Sequence, residues 1–394
     1  VQVALRQFLS LAAMSIRSLP SRTSSSIVAV VGFAVTGSVL VAVLALAGGL
    51  SGFWQSTGSD DVAIVLARSS FSEVDSRIAR DAAALIEQAP GLLPSRRSAL
   101  SPQLVTATVL PRAADGKGAN VLVRGFDGAA IGIDSPISIL EGRSFQHGLD
   151  EVIVGEKLAS MLSGVKVGGS LQLGESRFKV TGIFQEQGGG RYESEIWGDT
   201  HQLASAMGEA GKFSAIYVKL AGKDDFAGFA DYLDKQPGLE VKVFRERDYL
   251  DQQAGRFRAL VLIPGLAIVT VMAFAAMLAA ANTMLSAIQV RLKELATLRA
   301  IGFGPVIVAA QVLAEALALG LLGGVAGALA AAGLLHGESA LTSNGFSAMA
   351  LSLSVRPGAA LAAIGMVLVC ALLAGAWPAI LMSRMGIADA LRKT

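Results

Sequence analysis

IVAVVGFAVTGSVLVAVLALAGGL, Ile27 to Leu50, runs about 24 residues without a charge. A bilayer core of roughly 30 Å needs about 20 such residues in a helix. A cleaved signal peptide is the competing reading, because basic residues precede the stretch and Ala45 and Ala47 form an A-x-A near its end. The apolar core of a signal is only about 7–15 residues long, however. Three further stretches of similar character follow downstream, at 257–288, 305–335 and 357–383. The expected fold class is therefore a membrane protein with four transmembrane α-helices. Residues 51–256 form a large α+β extracytoplasmic domain between the first helix and the second.

Bulk composition agrees. The 394 residues are 53% hydrophobic and only 16% charged, with a mean hydropathy of +0.56, whereas soluble domains are near one-quarter charged. The charges cluster between about residues 57 and 258, a distribution that a soluble two-domain enzyme would not show. A net charge of +2 and the lack of a basic run with interleaved aromatics argue against nucleic acid. Cys370 is the single cysteine, so neither an intrachain disulfide nor a cysteine zinc site is possible. The chain starts at Val1 rather than methionine, which suggests processing or an unlisted initiator.

Lysine and arginine bias in the short loops sets the expected orientation. Arg6, Arg17 and Arg22 lie in the N-terminal segment, 1–26. Arg291, Lys293 and Arg299 lie in the loop 289–304, and Arg384, Arg392 and Lys393 in the tail, 384–394. Four spans bring all three basic segments to one side, so both termini are expected in the cytoplasm. The short loop 336–356, whose one basic residue is Arg356, falls on the other side. Val3, Leu5, Phe8, Leu9, Ala12, Ala13 and Ile16 recur at helical spacing, which predicts an amphipathic N-terminal helix lying on the membrane or on a partner.

In the α+β domain, seven runs read as strands: Val62–Ala67, Leu104–Leu110, Asn120–Phe126, Glu151–Gly155, Arg177–Phe184, Ala215–Leu220 and Val241–Phe244. Helices are expected near Val74–Gln88, Glu156–Leu162, Thr200–Met207 and Phe226–Leu233. No catalytic residue and no metal site is expected. His147, His201 and His336 have no second histidine at ligand spacing, and no G-x-S-x-G elbow occurs. Gly188–Gly190 are not followed by Lys-Ser/Thr, so a hairpin or mobile loop is the plainer reading there, and Gly211-Lys212 likewise lacks the spacing of a phosphate loop. FRERDYLDQQAGRFRAL, Phe244 to Leu260, runs without proline into the second span. It is either one stiff helix from domain to bilayer or a helix with a flexible joint at Gly255.

Within the spans, Glu315 lies about 15 Å into the third helix at about 1.5 Å per residue. An intramembrane carboxylate is a functional candidate by default. Gln311 shares its face one turn earlier and Asn282 sits near the inner end of the second span; both suit hydrogen bonds between helices. Gly320, Gly323, Gly324 and Gly327 form two overlapping small-xxx-small patterns, fit for a dimer seam or for packing within one chain.

RLKELATLRAIGFGP, Arg291 to Pro305, is a short amphipathic helix ended by glycine. Leu292, Leu295, Leu298 and Ile301 share one face, while Arg291, Lys293, Glu294 and Thr297 face water. It resembles the coupling helix of MacB/FtsX-like ABC transporter permeases, which include the lipoprotein-releasing LolC/LolE-like, type VII group. Two other stretches resemble that family: EVIVGEKLASMLSGVKVGGSLQLGESRFKVTGIFQ, Glu151 to Gln185, and the ending PAILMSRMGIADALRKT, with Ile387 where proline is usual. The resemblance implies mechanotransmission. Arg291, Lys293, Glu294, Leu295, Thr297, Leu298, Ile301 and Gly302 would meet a separate cytosolic ABC ATPase, present in two copies. ATP and Mg would bind that partner, so the chain itself is expected to be neither an enzyme nor a cofactor binder. A second permease subunit, membrane lipids and a periplasmic adaptor or substrate-binding protein are the other implied partners, in a bacterial inner membrane. Extraction or export of a lipid, lipoprotein, peptide or drug is the first functional reading. An FtsX-type signalling permease that activates a periplasmic hydrolase is the second, and a sensor or scaffold without an ATPase the third.

Overall fold

Thr23–Trp54 is one helix, α1, whose uncharged sequence has no residue that would stop it inside a bilayer. The computed structural model describes residues 23–54, 58–93, 99–127, 137–186, 191–290, 297, 301, 304–335, 339–343, 348–352 and 354–384. After α1 come β1 (Val62–Ala67), β2 (Ile78–Ala79), α2 (Arg80–Ile86), β3 (Leu100–Pro111), β4 (Gly118–Phe126) and β5 (Ile137–Gly142). Then follow β6 (Glu151–Gly155), α3 (Glu156–Met161), β7 (Ser170–Leu173), β8 (Ser176–Glu186), a 3-10 turn at Arg191–Ser194, β9 (Glu195–Asp199) and α4 (Thr200–Met207). β10 (Lys212–Phe213), β11 (Ala215–Lys219), α5 (Phe226–Asp234) and β12 (Val241–Arg245) lead into the long helix α6, Glu246–Val290. α7 (Pro305–Leu335), the hairpin β13 (Ser339–Ser343) and β14 (Ala348–Ser352), and α8 (Pro357–Arg384) complete the chain.

Among the described residues, α1, α6, α7 and α8 are long and apolar enough to cross a membrane. The protein is thus a multi-pass membrane protein with an α+β domain between the first and second apolar helices. The chain divides into two units. One is Val1–Gly48, Arg258–Glu338 and Leu353–Thr394; the other is Gly49–Phe257 and Ser339–Ser352.

In the helical unit, alanine and glycine sit where helices meet. Ala29, Phe33, Ala276, Ala280, Ala316, Leu319, Val367, Ala371 and Ala374 form one buried cluster drawn from all four helices. Small side chains suit such seams because lipid offers no hydrophobic drive to helix association, so close van der Waals packing has to supply it. Leu260, Ile263, Val271, Phe274, Leu329 and Leu361 point outward from the bundle. Pro264 lies inside α6 without ending it; transmembrane helices tolerate proline because neighbouring groups can satisfy the freed carbonyl.

In the domain unit, one sheet runs β12-β1-β11-β3-β4-β9-β6-β8-β5, with β7 also paired to β8. The pairs β4/β9 and β6/β8 are parallel and the others antiparallel. Val121, Val123, Val152, Val154, Val180 and Ile196 pack with Leu158 of α3 and Leu203 of α4. Ala63, Val65, Ile216 and Val218 pack with Ile86 of α2 and with Phe229 and Leu233 of α5. Asp199 caps α4 by accepting from His201 N at 2.8 Å and Gln202 N at 3.1 Å. Gly208, at φ +71°, ends that helix in the left-handed conformation glycine adopts without strain.

The expected helix near Val74–Gln88 is shorter than its pattern suggested: only Arg80–Ile86 is helical. Asp75 takes the amides of Phe71 and Ser72 at 2.7 and 2.6 Å, and Ser76 Oγ accepts from Ala67 N at 2.9 Å, so the preceding residues form a pinned loop. Side chains of this kind compete with helical hydrogen bonds. The sequence pattern also missed β5, β7 and β9. β5 is an exposed edge strand, and β9 carries two acids in a fully buried position. The segment expected as a plain loop, 336–356, contains the hairpin β13–β14. The N-terminal helix expected at 1–26, His336, and most of the tail 384–394 lie wholly or largely outside the described residues.

Candidate functional site

Arg124 points from the middle of β4 toward the face of the sheet opposite Val121 and Val123, and its side chain is 2% exposed. It grips Glu195 of β9 with two parallel bonds, Nε–Oε2 at 2.7 Å and Nη2–Oε1 at 2.8 Å. Its Nη1 reaches Gln103 Oε1 of β3 at 2.8 Å and Glu73 Oε2 at 2.9 Å. The register explains the convergence. Leu122 pairs with Glu195 and Arg124 with Trp197, so alternate residues of neighbouring strands share one face. Trp197 Nε1 donates to Glu195 Oε2 at 2.8 Å, and Phe126, Phe184 and Tyr192 pack around its indole.

A second guanidinium completes the cluster. Arg191 donates through Nη2 to the hydroxyls of Tyr192, at 2.6 Å, and Tyr217, at 2.9 Å. Its Nη1 lies 3.5 Å from Glu73 Oε1, and its Nη2 lies 3.9 Å from Glu246 Oε1. Tyr217 in turn donates to Glu73 Oε1 at 2.5 Å. Burial alone would raise the Glu73 carboxyl, but the charges of Arg124 and Arg191 outweigh it and hold Glu73 below the ordinary carboxylate range. Glu186 lies at the rim, accepting from Tyr192 N at 3.3 Å. There burial wins, with Glu195 and Glu193 adding to it, and the carboxyl is pushed up. Burial likewise raises the hydroxyls of Tyr192, Tyr217 and Tyr249, so all three stay protonated.

The first turns of α6 are docked on this cluster. Glu246 accepts from Ser59 N at 3.1 Å. Tyr249 OH accepts from Glu73 N at 3.2 Å, and Leu250 packs with Val62, Ile64 and Leu66. Gln253 Nε2 and Arg256 Nη1 both donate to Phe71 O at 3.1 Å. Gly58 runs so close that a Cβ there would lie 2.8 Å from Arg247 Cα. From this anchored root α6 continues to Val290 as one helix, with no break at Gly255. Gly255 therefore lies inside a helix.

Other sequence-derived candidates are placed as follows. Of the coupling segment, Thr297 and Ile301 are described; both are exposed, and Ile301 N donates to Thr297 O at 3.0 Å, the spacing of a helical turn. Arg291, Lys293, Glu294, Leu295, Leu298 and Gly302 lie outside the described residues. Asn282 is exposed on α6, Gln311 is buried and Glu315 half-buried on α7. A Cβ on Gly320 would lie 2.5 Å from Ala371 Cβ of α8, and one on Gly324 would lie 3.3 Å from Ile364 Cα. One on Gly323 would lie 2.6 Å from Phe33 Cβ of α1, and one on Gly327 would run into Ala34. The glycine stripe thus packs α7 against α8 on one side and α1 on the other.

Gly188–Gly190 lie outside the described residues. Gly211, at φ +82°, turns the chain into β10 rather than into a helix N-terminus. His147 Nδ1 sits 3.1 Å from Asp199 Oδ2, and His201 Nε2 sits 3.6 Å from Asp127 Oδ1. Among the described residues, however, no group of three histidines, cysteines or acids could hold a metal ion.

Sequence reasoning missed the buried cluster. Its members come from segments far apart in the chain, and each of its acids and arginines, read alone, looks like a surface charge. The one local signal was an arginine inside the apolar strand NVLVRGF.

A family model for the MacB-like periplasmic core domain matches residues 26–236. A second, for the FtsX-like permease C-terminal region, matches residues 266–387. Among solved structures, the extracellular domain of the noncanonical ABC-type transporter YknZ from Gram-positive bacteria is 15% identical. The match covers 46% of this chain and 99% of that one, with a TM-score of 0.36. The periplasmic region of MacB from Actinobacillus actinomycetemcomitans is 11% identical over 50% of this chain and 92% of that one, also with a TM-score of 0.36. None of the curated proteins matches the chain.

Proposed function

The chain belongs to the MacB/FtsX-like family of ABC transporter permeases, and from that membership we propose that it is a mechanotransmission subunit. ATP hydrolysis by a separate cytosolic ATPase is converted into motion of the α+β domain, which extracts or exports a lipid, lipoprotein, peptide or drug on the far face of the membrane. One observation carries this reading: α6 is unbroken from Glu246 to Val290, and its root is fixed to the domain by Glu246, Tyr249 and Gln253. A rod held at one end passes on rigid-body motion, the kind of motion by which domains switch state.

In this reading the segment from Arg291 to Gly302 docks on the ATPase, two ATPase copies serve two permease subunits, and ATP with Mg is held by the ATPases. The second subunit is another copy or a paralogue. Both termini face the cytoplasm of a bacterial cell, and the α+β domain lies beyond the inner membrane, where an adaptor or substrate-binding protein would meet it. An FtsX-type signalling permease would use the same rod to activate an external hydrolase.

The test is capture. A tagged full-length chain is expected to bring down a P-loop ATPase, and Glu294→Arg is expected to lose it while leaving the thermal midpoint of the purified chain unchanged. No ATPase with either chain would sink the proposal. A lipid or adaptor crosslinked to the domain favours transport, and a bound murein hydrolase favours signalling.

A further inference from the structure

Between α7 and α8 the chain leaves the helical unit and returns to it. Ser339–Ser352 belongs to the domain unit, while Glu338 and Leu353 belong to the helical one. The strands β13 and β14 pair antiparallel, with Ser339 opposite Ser352 and Ser343 opposite Ala348, and the whole stretch carries no charge. A two-stranded hairpin by itself is at best marginally stable in water, so this one needs a surface to rest on. The domain supplies it. β14 lies against β4 and against the 3-10 turn Arg191–Ser194, and β13 meets β4 as well.

The turn that β14 touches is also where α6 is held. All four of its residues are buried. Arg191 Nη2 lies 3.9 Å from Oε1 of Glu246, the first residue of α6. The same Nη2 donates to Tyr217, whose hydroxyl donates to Glu73, and Glu73 N donates in turn to Tyr249 OH on α6. Lys157 Nζ of α3 pairs with Glu193 at 2.7 Å, and the backbone of Glu193 leaves no room for a Cβ on Gly155. Interiors packed in this way transmit strain rather than absorb it.

The hairpin's two legs are short. Three residues separate Leu335 of α7 from Ser339, and four separate Ser352 from Pro357 of α8, spans of at most about 14 and 18 Å when fully extended. Leu335 and Val355 share one cluster with Ala331 of α7 and Ala360 of α8, so both legs start from the same pair of helices.

We infer that the β13–β14 hairpin is a strap by which α7 and α8 act on the root of α6: docked on the domain, it steadies the Arg191–Ser194 turn and, through that turn, the first turns of α6. This is a second link between helices and domain, separate from the continuity of α6 itself. It requires no ATPase, so its failure and the failure of ATPase capture are distinct results.

Hydrogen exchange of the full-length chain in nanodiscs tests the strap. In the wild type, the amides of Ser339–Ser343 and Ala348–Ser352 are expected to exchange many-fold slower than in the free peptide of the same sequence. Replacing Ser339–Ser352 with a glycine–serine chain of equal length is expected to speed exchange severalfold in Arg191–Ser194 and in Leu250–Ala254 of α6, while Phe226–Asp234 of α5 keeps its protection. Hairpin amides at the free-peptide rate overturn the proposal, whatever the replacement does. So does a replaced chain whose turn and α6 root keep wild-type protection, the mark of a hairpin shielded by something other than the domain. Where α5 loses protection too, the milder Ala350→Asp decides. Faster exchange in the turn with α5 intact supports the strap, and unchanged exchange overturns it.

Discussion

Buried charge is the main residue-scale feature of the α+β domain. Glu73, Glu195 and Glu246 face Arg124 and Arg191, and all five are buried. Such clusters add little net stability, since desolvation offsets the attraction, but removing one partner strands the others at a cost of about 3–5 kcal/mol. Glu186 at the rim differs, because burial raises its carboxyl above the ordinary carboxylate range. The folded state therefore binds this proton more tightly than the unfolded chain does. Linkage makes stability fall as pH rises from 4.5 through the folded pKa. Glu73, lowered, acts in the opposite sense and loses its contribution as pH drops through its own folded pKa. Glu186→Gln is expected to raise the thermal midpoint at neutral pH and to flatten its decline as pH rises through the folded pKa of Glu186. A midpoint that falls at neutral pH would show that the charged carboxylate, not its acceptor oxygen, is what the Tyr192 amide needs. None of these environments was legible in the sequence, because burial of a charge depends on which strands become neighbours.

At the scale of elements, the glycines of α7 have close neighbours on α1 and α8 of the same chain. A small-xxx-small pattern says that something approaches closely but not what. Within the helical unit the neighbours of Gly327 are Ala34 and Ser38 of α1, and those of Gly320 and Gly324 lie on α8. Gly327→Ala puts a methyl into the backbone of Ala34, and overpacking of this kind costs about 1–3 kcal/mol. Gly333→Ala, on the same helix, meets nothing within 4 Å, and a solvated helix gains up to about 1 kcal/mol from that exchange. In a melt of the detergent-solubilised chain, Gly327→Ala should lower the midpoint and Gly333→Ala should not. Equal midpoints would mean that α1 yields freely. The same contrast explains which elements could be read in advance. Val62–Ala67 and Glu151–Gly155 are apolar strands matched residue for residue. β9, EIWGD, hides a strand behind two acids whose partners are far away in sequence.

For the whole molecule, the property of interest is the continuity of α6. Gly255 has open space where a Cβ would go, so Gly255→Ala should be tolerated. Gly255→Pro removes a helical N–H and costs about 3 kcal/mol in a helix interior. With the ATPase captured, ATP is expected to change the protease cleavage pattern of the α+β domain in the wild type and in Gly255→Ala. Gly255→Pro is expected to lose that response while still capturing the ATPase. A response that survives the proline would mean the motion travels by another route. By itself the sequence determined the four apolar helices, the order of span and domain, and the family, because a bilayer demands about 20 apolar residues wherever a helix crosses it. That demand is local and is met in one contiguous stretch at a time. Only the tertiary structure decided that the first turns of α6 dock beside Glu73 and Arg191, that the glycines of α7 face α1 and α8, and that Phe71 lies next to Arg256. Each of these depends on residues far apart in the chain meeting at hydrogen-bond or van der Waals distance, which no single stretch of sequence specifies.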